Sequence, residues 1–337
     1  MRIGYLRNYK QPQTLANLIA SIAQSKDIEI LYFSPKDVNL KTRRINGLLF
    51  KDSCWKRIKA KTPKIIDVNA NCLKHKEVIK HLRKYAHLTD NGLNRISKLT
   101  LQELLNEDPD YQNYTIPTKS CAFFSDIEEF LNEYSEIVLR PIRSKRADGV
   151  YKISKINPEK YFLDYFNTTI EVSYEELIVF CNNEILIKDY LVQKYIDSKT
   201  PQGDSFDWRI HFEKTGHGNW RIINNQIRIG LNQKITTNWN QGGGIIDTDI
   251  FMKLKYSDQA EMKLEQVKEF GLKAAAKLES LRKTKLATIS IDLGIDHNGD
   301  IFIFEANDAP ITTSLLGEIA MIRTDYYQYL LKNKSDK

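Results

Sequence analysis

Residues 287–307, ATISIDLGIDHNGDIFIFEAN, constrain the fold more than any other stretch of the chain. Polar and apolar residues alternate on both sides of an Asn298-Gly299 pair, a dipeptide that favours a tight turn between antiparallel strands. A two-residue loop sets Asp292 opposite Glu305 and Ser290 opposite Asn307 on one face. The other face is apolar, with Ile291, Leu293 and Ile295 against Phe302, Phe304 and Ala306. Facing side chains in such a pair have Cβ atoms roughly 5 Å apart. Two carboxylates at that separation repel, and a hard divalent cation taking oxygen ligands at about 2.0–2.1 Å is the simplest counter-charge. The alternative is a solvated face on which the acids never meet.

The rest of the chain bounds the class. At 337 residues with 42% hydrophobic content it buries a sizeable core and has room for two or three lobes. There is no run of eighteen apolar residues, and MRIGYLRNYK lacks the apolar stretch of a signal peptide, so the expectation is a cytoplasmic protein without a membrane span. Cys54, Cys72, Cys121 and Cys181 show no C-x-x-C spacing and read as free thiols. Fifty Lys and Arg against 43 Asp and Glu give +7, which suits anionic ligands such as nucleotides or acidic peptides. The basic residues read as spread along the whole chain rather than gathered with aromatics on one face, which argues against nucleic acid as a partner. The six histidines form no metal or catalytic grouping.

The pattern along the chain is mixed. MRIGYL, IEILYF, RINGLLF and PKIIDV read as strands, with QTLANLIASIAQ a helix between the first two, so residues 1–88 predict a small, mostly parallel α/β unit. It carries no phosphate-binding glycine fingerprint. KLTLQELLNE and a segment from Ser125 predict helices, EIVLRPI and GVYKIS strands around a short basic loop. From residue 190 the chain turns β-rich, and residues 257–281 predict a long helix with Leu264, Val267, Gly271, Ala274, Leu278 and Leu281 on one stripe. KNKSDK reads as a frayed tail.

Taken in order, Lys98 on a helix, VLRP before a short loop, VQKYI, DWR, RIG, NWNQGGG, IDLGID and FEAND resemble the ATP-grasp superfamily, and within it the YheC/YheD group of spore-coat-associated proteins. The similarity spans nearly the whole chain. It implies an α+β ATP-grasp fold with a pre-ATP-grasp domain at 1–88, a central lobe at 89–192 and a C-terminal lobe at 193–337. It also implies ATP and Mg2+ as cofactors, and a reaction that activates a carboxylate as an acylphosphate for attack by an amine, the substrates being small molecules or peptides.

The resemblance assigns residues as well. Asp292, Glu305 and Asn307 take the magnesium positions, the same three reached from the hairpin. Gln193, Lys194 and Ile196 lie in the hinge that seats adenine, with the Lys194 carbonyl and the Ile196 N–H matching its edge. Lys98 and Arg140 stand at the two phosphate-contacting positions. Arg140 departs from the usual Lys, keeping the charge but presenting a planar fork. The next loop, IRSKRADG, departs further: Arg143, Ser144, Lys145 and Arg146 replace a glycine-rich segment, and only Gly149 matches a glycine of the pattern. Arg209 and Arg228 match arginines directed at developing negative charge, where a guanidinium stabilises what forms; Arg209 has a surface pair with Asp207 or a neighbouring acid as its alternative. Asn238 with Gly242, Gly243 and Gly244 matches a glycine turn facing substrate or phosphate. No general base is identifiable. The expected activity is an ATP-dependent carboxylate-amine ligase, the alternative a nucleotide-binding structural or regulatory protein without turnover.

Overall fold

A computed structural model describes the chain except for residues 143–147, 232–234, 236, 238–242, 309, 311–313 and 334–337. Three sheets organise it. The first holds β1 (Arg2–Leu6), β2 (Glu29–Phe33), β3 (Val38–Asn39), β4 (Arg44–Lys51), β5 (Cys54–Lys61), β6 (Ile65–Val68) and β7 (His87–Leu88). Strands β2, β1, β6 and β7 run parallel, whereas β3, β4 and β5 add antiparallel, and β5 pairs with β4 alone. Helix α1 (Thr14–Gln24) buries Ala16, Ile19, Ala20 and Ala23 on one stripe against this sheet, and α2 (Lys76–Arg83) buries Ile79 and Leu82.

The helix α3 (Lys98–Asn106) follows, capped by Ser97, whose Oγ accepts from the Thr100 N–H at 3.1 Å. The second sheet is wholly antiparallel, in the order β12-β11-β10-β9-β13-β8, from β8 (Thr118–Cys121), β9 (Glu136–Pro141), β10 (Tyr151–Asn157), β11 (Lys160–Tyr165), β12 (Thr168–Ser173) and β13 (Tyr190–Lys194). Helices α4 (Phe124–Tyr134) and α5 (Tyr174–Phe180) cover one of its faces, sharing a core with Ile137, Leu139, Ile153 and Val192. Val138 and Arg140 alternate to the other face.

The third sheet has the order β16-β15-β14-β17-β18, from β14 (Ser205–Lys214), β15 (Trp220–Gly230), β16 (Gly244–Ile246), β17 (Thr288–Ile295) and β18 (Ile301–Asn307). Period-two alternation divides its faces. Phe206, Trp208, Ile210 and Phe212 of β14 and Ile289, Ile291 and Leu293 of β17 enter a core with α6 (Thr248–Tyr256) and α7 (Ala260–Arg282). The expected stripe on α7 is that core, with Gly271 letting the helix approach closely: a Cβ there would lie 3.0 Å from Phe212 Cζ. Leu101 and Leu105 of α3 join the same core, so the helix carrying Lys98 packs with the third sheet. The last helix, α8 (Leu316–Asn333), returns to the first sheet, where Tyr326, Tyr327 and Leu330 share a core with Ile3, Ile19 and Ile30.

Two sequence expectations need correction. The hairpin turn is not a two-residue Asn298-Gly299 loop. Asn298 is not left-handed, only Gly299 is (φ 86°), and the loop runs over residues 296–300, with Asp296 Oδ1 accepting from the N–H groups of Asn298 and Asp300. Phe304 then forms a β-bulge that restores the expected pairing beyond it: Asp292 faces Glu305 and Ser290 faces Asn307. Between turn and bulge the faces are exchanged, so Ile303 is fully buried in the core while Phe304 swings to the polar face and lies over Gly294. The second correction concerns charge. It is not spread along the chain: residues 1–88 hold 19 basic and six acidic residues, +13, and the other 249 residues carry −6.

Candidate functional site

The polar face of the third sheet and the open face of the second enclose a cleft of about 1450 Å³. Lys98, Arg140, Gln193, Lys194, Ile196, Arg209, Arg228, Asp292, Glu305 and Asn307 all line it. Ser144 and Asn238 lie outside the described residues, as do Arg143, Lys145, Arg146 and Gly242. Of the segments around them, Gly149 takes φ 73° and its carbonyl accepts from Tyr190 Oη at 2.9 Å. A Cβ at Gly149 would meet that oxygen at 2.7 Å, so the glycine is required by backbone and packing together.

Glu305 is where the lobes meet. Its Oε2 lies 3.2 Å from Lys98 Nζ and 3.5 Å from Arg140 Nη2, on elements far apart in sequence. Burial, followed by the neighbouring Arg140, pulls the Lys98 ammonium below its ordinary range, and burial does the same to Arg140. Two desolvated cations sharing one carboxylate form a receptor for further negative charge. Gln193 aims Arg140: its Oε1 accepts from Arg140 Nη1 at 3.1 Å, and its Nε2 donates to Thr118 Oγ1 at 2.7 Å. Its side chain is thus spent on positioning. The N–H groups of Lys194 and Tyr195 bond to the carbonyls of Pro117 and Glu136, and the Ile196 carbonyl accepts from Ser198. The Ile196 N–H has no partner among the described residues.

Both arginines line the cleft, each tied to a carboxylate. Arg209 pairs with Asp292 rather than Asp207, donating from Nε at 2.7 Å and Nη2 at 2.5 Å. Arg228 clamps Asp207 through Nε (2.5 Å) and Nη2 (2.7 Å) and reaches Asp292 at 3.0 Å. Thr237 Oγ1 also donates to Asp207. The cause is strand parity: Asp207 and Arg209 share the polar face of β14, but each lies directly across from an oppositely charged partner on a different neighbouring strand, Arg228 on β15 and Asp292 on β17. Although burial pushes the Asp292 carboxyl up, Arg228 and Arg209 outweigh it and hold it below the ordinary range. For Asp207, burial wins over Arg228 and the carboxyl is raised, helped by the nearby Asp292. Nη1 of both arginines is left without a partner among the described residues.

Asp292, Glu305 and Asn307 offer only oxygen donors suited to a hard cation, which fits magnesium. Asn307 Nδ2 is buried without a hydrogen-bond partner among the described residues. Among the described residues no three His, Cys, Asp or Glu stand close enough to form a metal centre by themselves. Each of the two carboxylates is held by cations of the protein, Asp292 by Arg209 and Arg228 and Glu305 by Lys98 and Arg140.

Sequence reasoning missed what lies further along the same sheet face. His211 Nε2 lies 3.0 Å from Glu213 Oε1 and 2.9 Å from Thr288 Oγ1. Glu213 takes two bonds from Arg323 of α8, which also donates to Asp67 of β6, and Asp67 is further bound by Arg7 and Tyr327. Arg7, Asp67, His211, Glu213, Thr288 and Arg323 line a cavity of about 80 Å³ between the first and third sheets. His211 Nδ1 and its cross-strand neighbour Ser290 Oγ are buried without partners among the described residues. The i, i+2 spacing of Asp207, Arg209, His211 and Glu213 was the available signal.

A cleft between two antiparallel α+β lobes, with Lys98 and Arg140 converging on paired carboxylates of a hairpin, is the arrangement of the ATP-grasp fold. The chain belongs to the YheC/D-like ATP-grasp family, whose profile matches residues 85–332. It is 23% identical to the endospore coat-associated protein YheD of Bacillus subtilis over 82% of its own length and 63% of that protein's, so it spans less than two thirds of that relative. It is 21% identical to YheC of the same organism, covering 95% of this chain and 93% of that one. Among solved structures, the ATP-grasp ligase PsnB, complexed with a phosphomimetic variant of its minimal precursor, Mg and ADP, matches at TM-score 0.56 and 10% identity, over 97% of this chain and 98% of that one. The cysteines are free thiols, with Cys54 exposed and the others buried. No described helix is long and apolar enough to cross a membrane.

Proposed function

We propose that this chain is an ATP- and magnesium-dependent carboxylate-amine ligase. The observation that carries the reading is Glu305, which pairs across the cleft with Arg140, beside it with Lys98 of α3, and faces Asp292 across the hairpin. A polyphosphate would take over Lys98 and Arg140, and the Glu305 carboxylate they release would be free to hold a cation. Magnesium, held by Asp292, Glu305 and Asn307, would neutralise phosphate charge. Gln193 keeps Arg140 oriented toward the phosphates, and Nη1 of Arg228 and Arg209 meets the charge that develops on the acyl group. A substrate carboxylate oxygen attacks the γ-phosphorus and ADP leaves; the amine nitrogen then attacks the acyl carbon and phosphate leaves. Phosphate release from ATP, screened over amino acids and short peptides as carboxylate and amine donors, tests this. Release that depends on two added substrates is expected, and nucleotide binding without release under any pair would leave a non-catalytic nucleotide-binding protein, the role the coat-associated names of the relatives allow.

The hinge yields a separate expectation. Backbone groups at Lys194 and Ile196 match the donor and acceptor order of adenine, and guanine inverts it at the corresponding edge. Mispaired buried polar groups cost about 1–3 kcal/mol each. ATP should therefore stabilise the protein against heat at concentrations at least about tenfold lower than GTP. Equal stabilisation by the two would count against adenine at Gln193 to Ile196.

A further inference from the structure

The positive charge of this protein is concentrated on one ribbon. Residues 41–64 contain nine Lys and Arg, all exposed, and a single acid, Asp52. That is +8 in a chain of net charge +7. The segment is the β4–β5 hairpin, and β5 is the outer edge of the first sheet. Arg57, Lys59 and Lys61 follow at every second residue, so they share one face at spacings of about 6.7 Å. Among the described residues only Lys56 and Arg57 of the nine have a carboxylate partner, Asp52 at 2.9 Å and Asp37 at 3.6 Å.

We propose that β5 is a docking edge for an extended acidic polypeptide segment, which adds as a further strand. Two features select this partner. The aromatics of the ribbon are not available for stacking: Phe50 and Trp55 pack on each other at 5.0 Å, Trp55 lies 5.9 Å from Tyr32, and its Nε1 donates to Asn17. A single-stranded nucleic acid thus finds charge without the stacking that such sites use. An extended peptide, by contrast, satisfies the unpaired backbone edge of β5 and places an acid opposite each of Arg57, Lys59 and Lys61. Lysines on an edge strand also deter pairing between copies of the same chain, since two such edges repel. The same charge that blocks self-association therefore admits an acidic strand. This inference does not depend on ligase activity.

The test uses the full chain and a fluorescein-labelled peptide of about twelve residues alternating Glu and Thr, followed by anisotropy at low salt. Binding is expected, and R57E/K59E/K61E should weaken it at least tenfold without altering the circular dichroism spectrum, because all three side chains are exposed. Two further peptides, methylated at odd or at even amides, keep the charge but lose the hydrogen-bond donors of one edge; one of them should bind at least tenfold more weakly. The proposal is overturned if the wild type fails to bind the peptide, if the triple variant binds it unchanged, if both methylated peptides keep full affinity, or if oligothymidylate of the same length binds more tightly.

Discussion

Glu305→Gln should abolish magnesium-dependent ATP turnover, by a hundredfold or more, in a protein that remains folded. Glu305 is partly exposed on a cleft face, so its carboxylate contributes little to packing. Its removal has two opposite electrostatic effects. On the proposed assignment the amide would no longer anchor a cation, which removes one of the two carboxylates of the set and leaves Asp292. It also frees Lys98 and Arg140, each paired with Glu305, to meet phosphate without first giving up a contact. Calorimetry with and without metal separates these effects. In the presence of a chelator the variant should bind ATP as tightly as the wild type or more so, and added magnesium should raise the affinity of the wild type only. A variant that keeps magnesium-stimulated binding would remove Glu305 from the metal site.

Arg323→Met should destabilise the protein by about 3–5 kcal/mol, the usual consequence of deleting one partner of a buried ion pair. Arg323 is buried and binds both oxygens of Glu213, at 2.7 and 2.6 Å, and Asp67 at 2.9 Å. Asp67 keeps Arg7 and Tyr327, but Glu213 is left with His211 alone. The pH dependence identifies the cause. In the wild type, burial raises the Glu213 carboxyl but Arg323 and His211 outweigh it, and the folded-state value is lowered. A lowered carboxylate gives stability that is present above its unfolded value, about 4.3, and lost as pH falls through the folded one. In the variant Glu213 is buried without its cation, its folded value rises, and the sign reverses: stability is recovered as pH falls from 7 toward 5. Melting midpoints at these two pH values measure both slopes, and parallel behaviour of wild type and variant would exclude Glu213 as the source.

The hairpin shows what a sequence can and cannot carry. Side-chain parity along β17 and β18 put Asp292 opposite Glu305 correctly, although the turn that justified the register does not exist. The five-residue loop shifts the register by one residue and the bulge at Phe304 shifts it back, and parity is insensitive to a pair of compensating shifts. The α7 stripe was legible because a 3.6-residue period needs no knowledge of the partner. The exchange of partners among Asp207, Arg209, Arg228 and Asp292 was not, because it depends on which strands flank β14. The Asp67–Arg323–Glu213 cluster joins residues 256 and 110 positions apart, and no local pattern announces such contacts. The charge of residues 1–88 was open to simple counting; only the whole-chain average conceals it.

The return of α8 to the first sheet has a consequence for synthesis. Strands β1, β2 and β6 are finished within the first 68 residues, yet the core that covers one side of them is completed by Tyr326, Tyr327 and Leu330. At roughly 5–20 residues per second of translation, those side chains leave the ribosome some 15–60 s after β2 does. Throughout that interval the α1 side of the nascent sheet lacks its last apolar partners, and folding from the N-terminus onward cannot be brought to completion. The maturation of this protein is therefore paced by its last helix, and a stalled or shortened chain would expose to chaperones and proteases a surface that the finished one never shows.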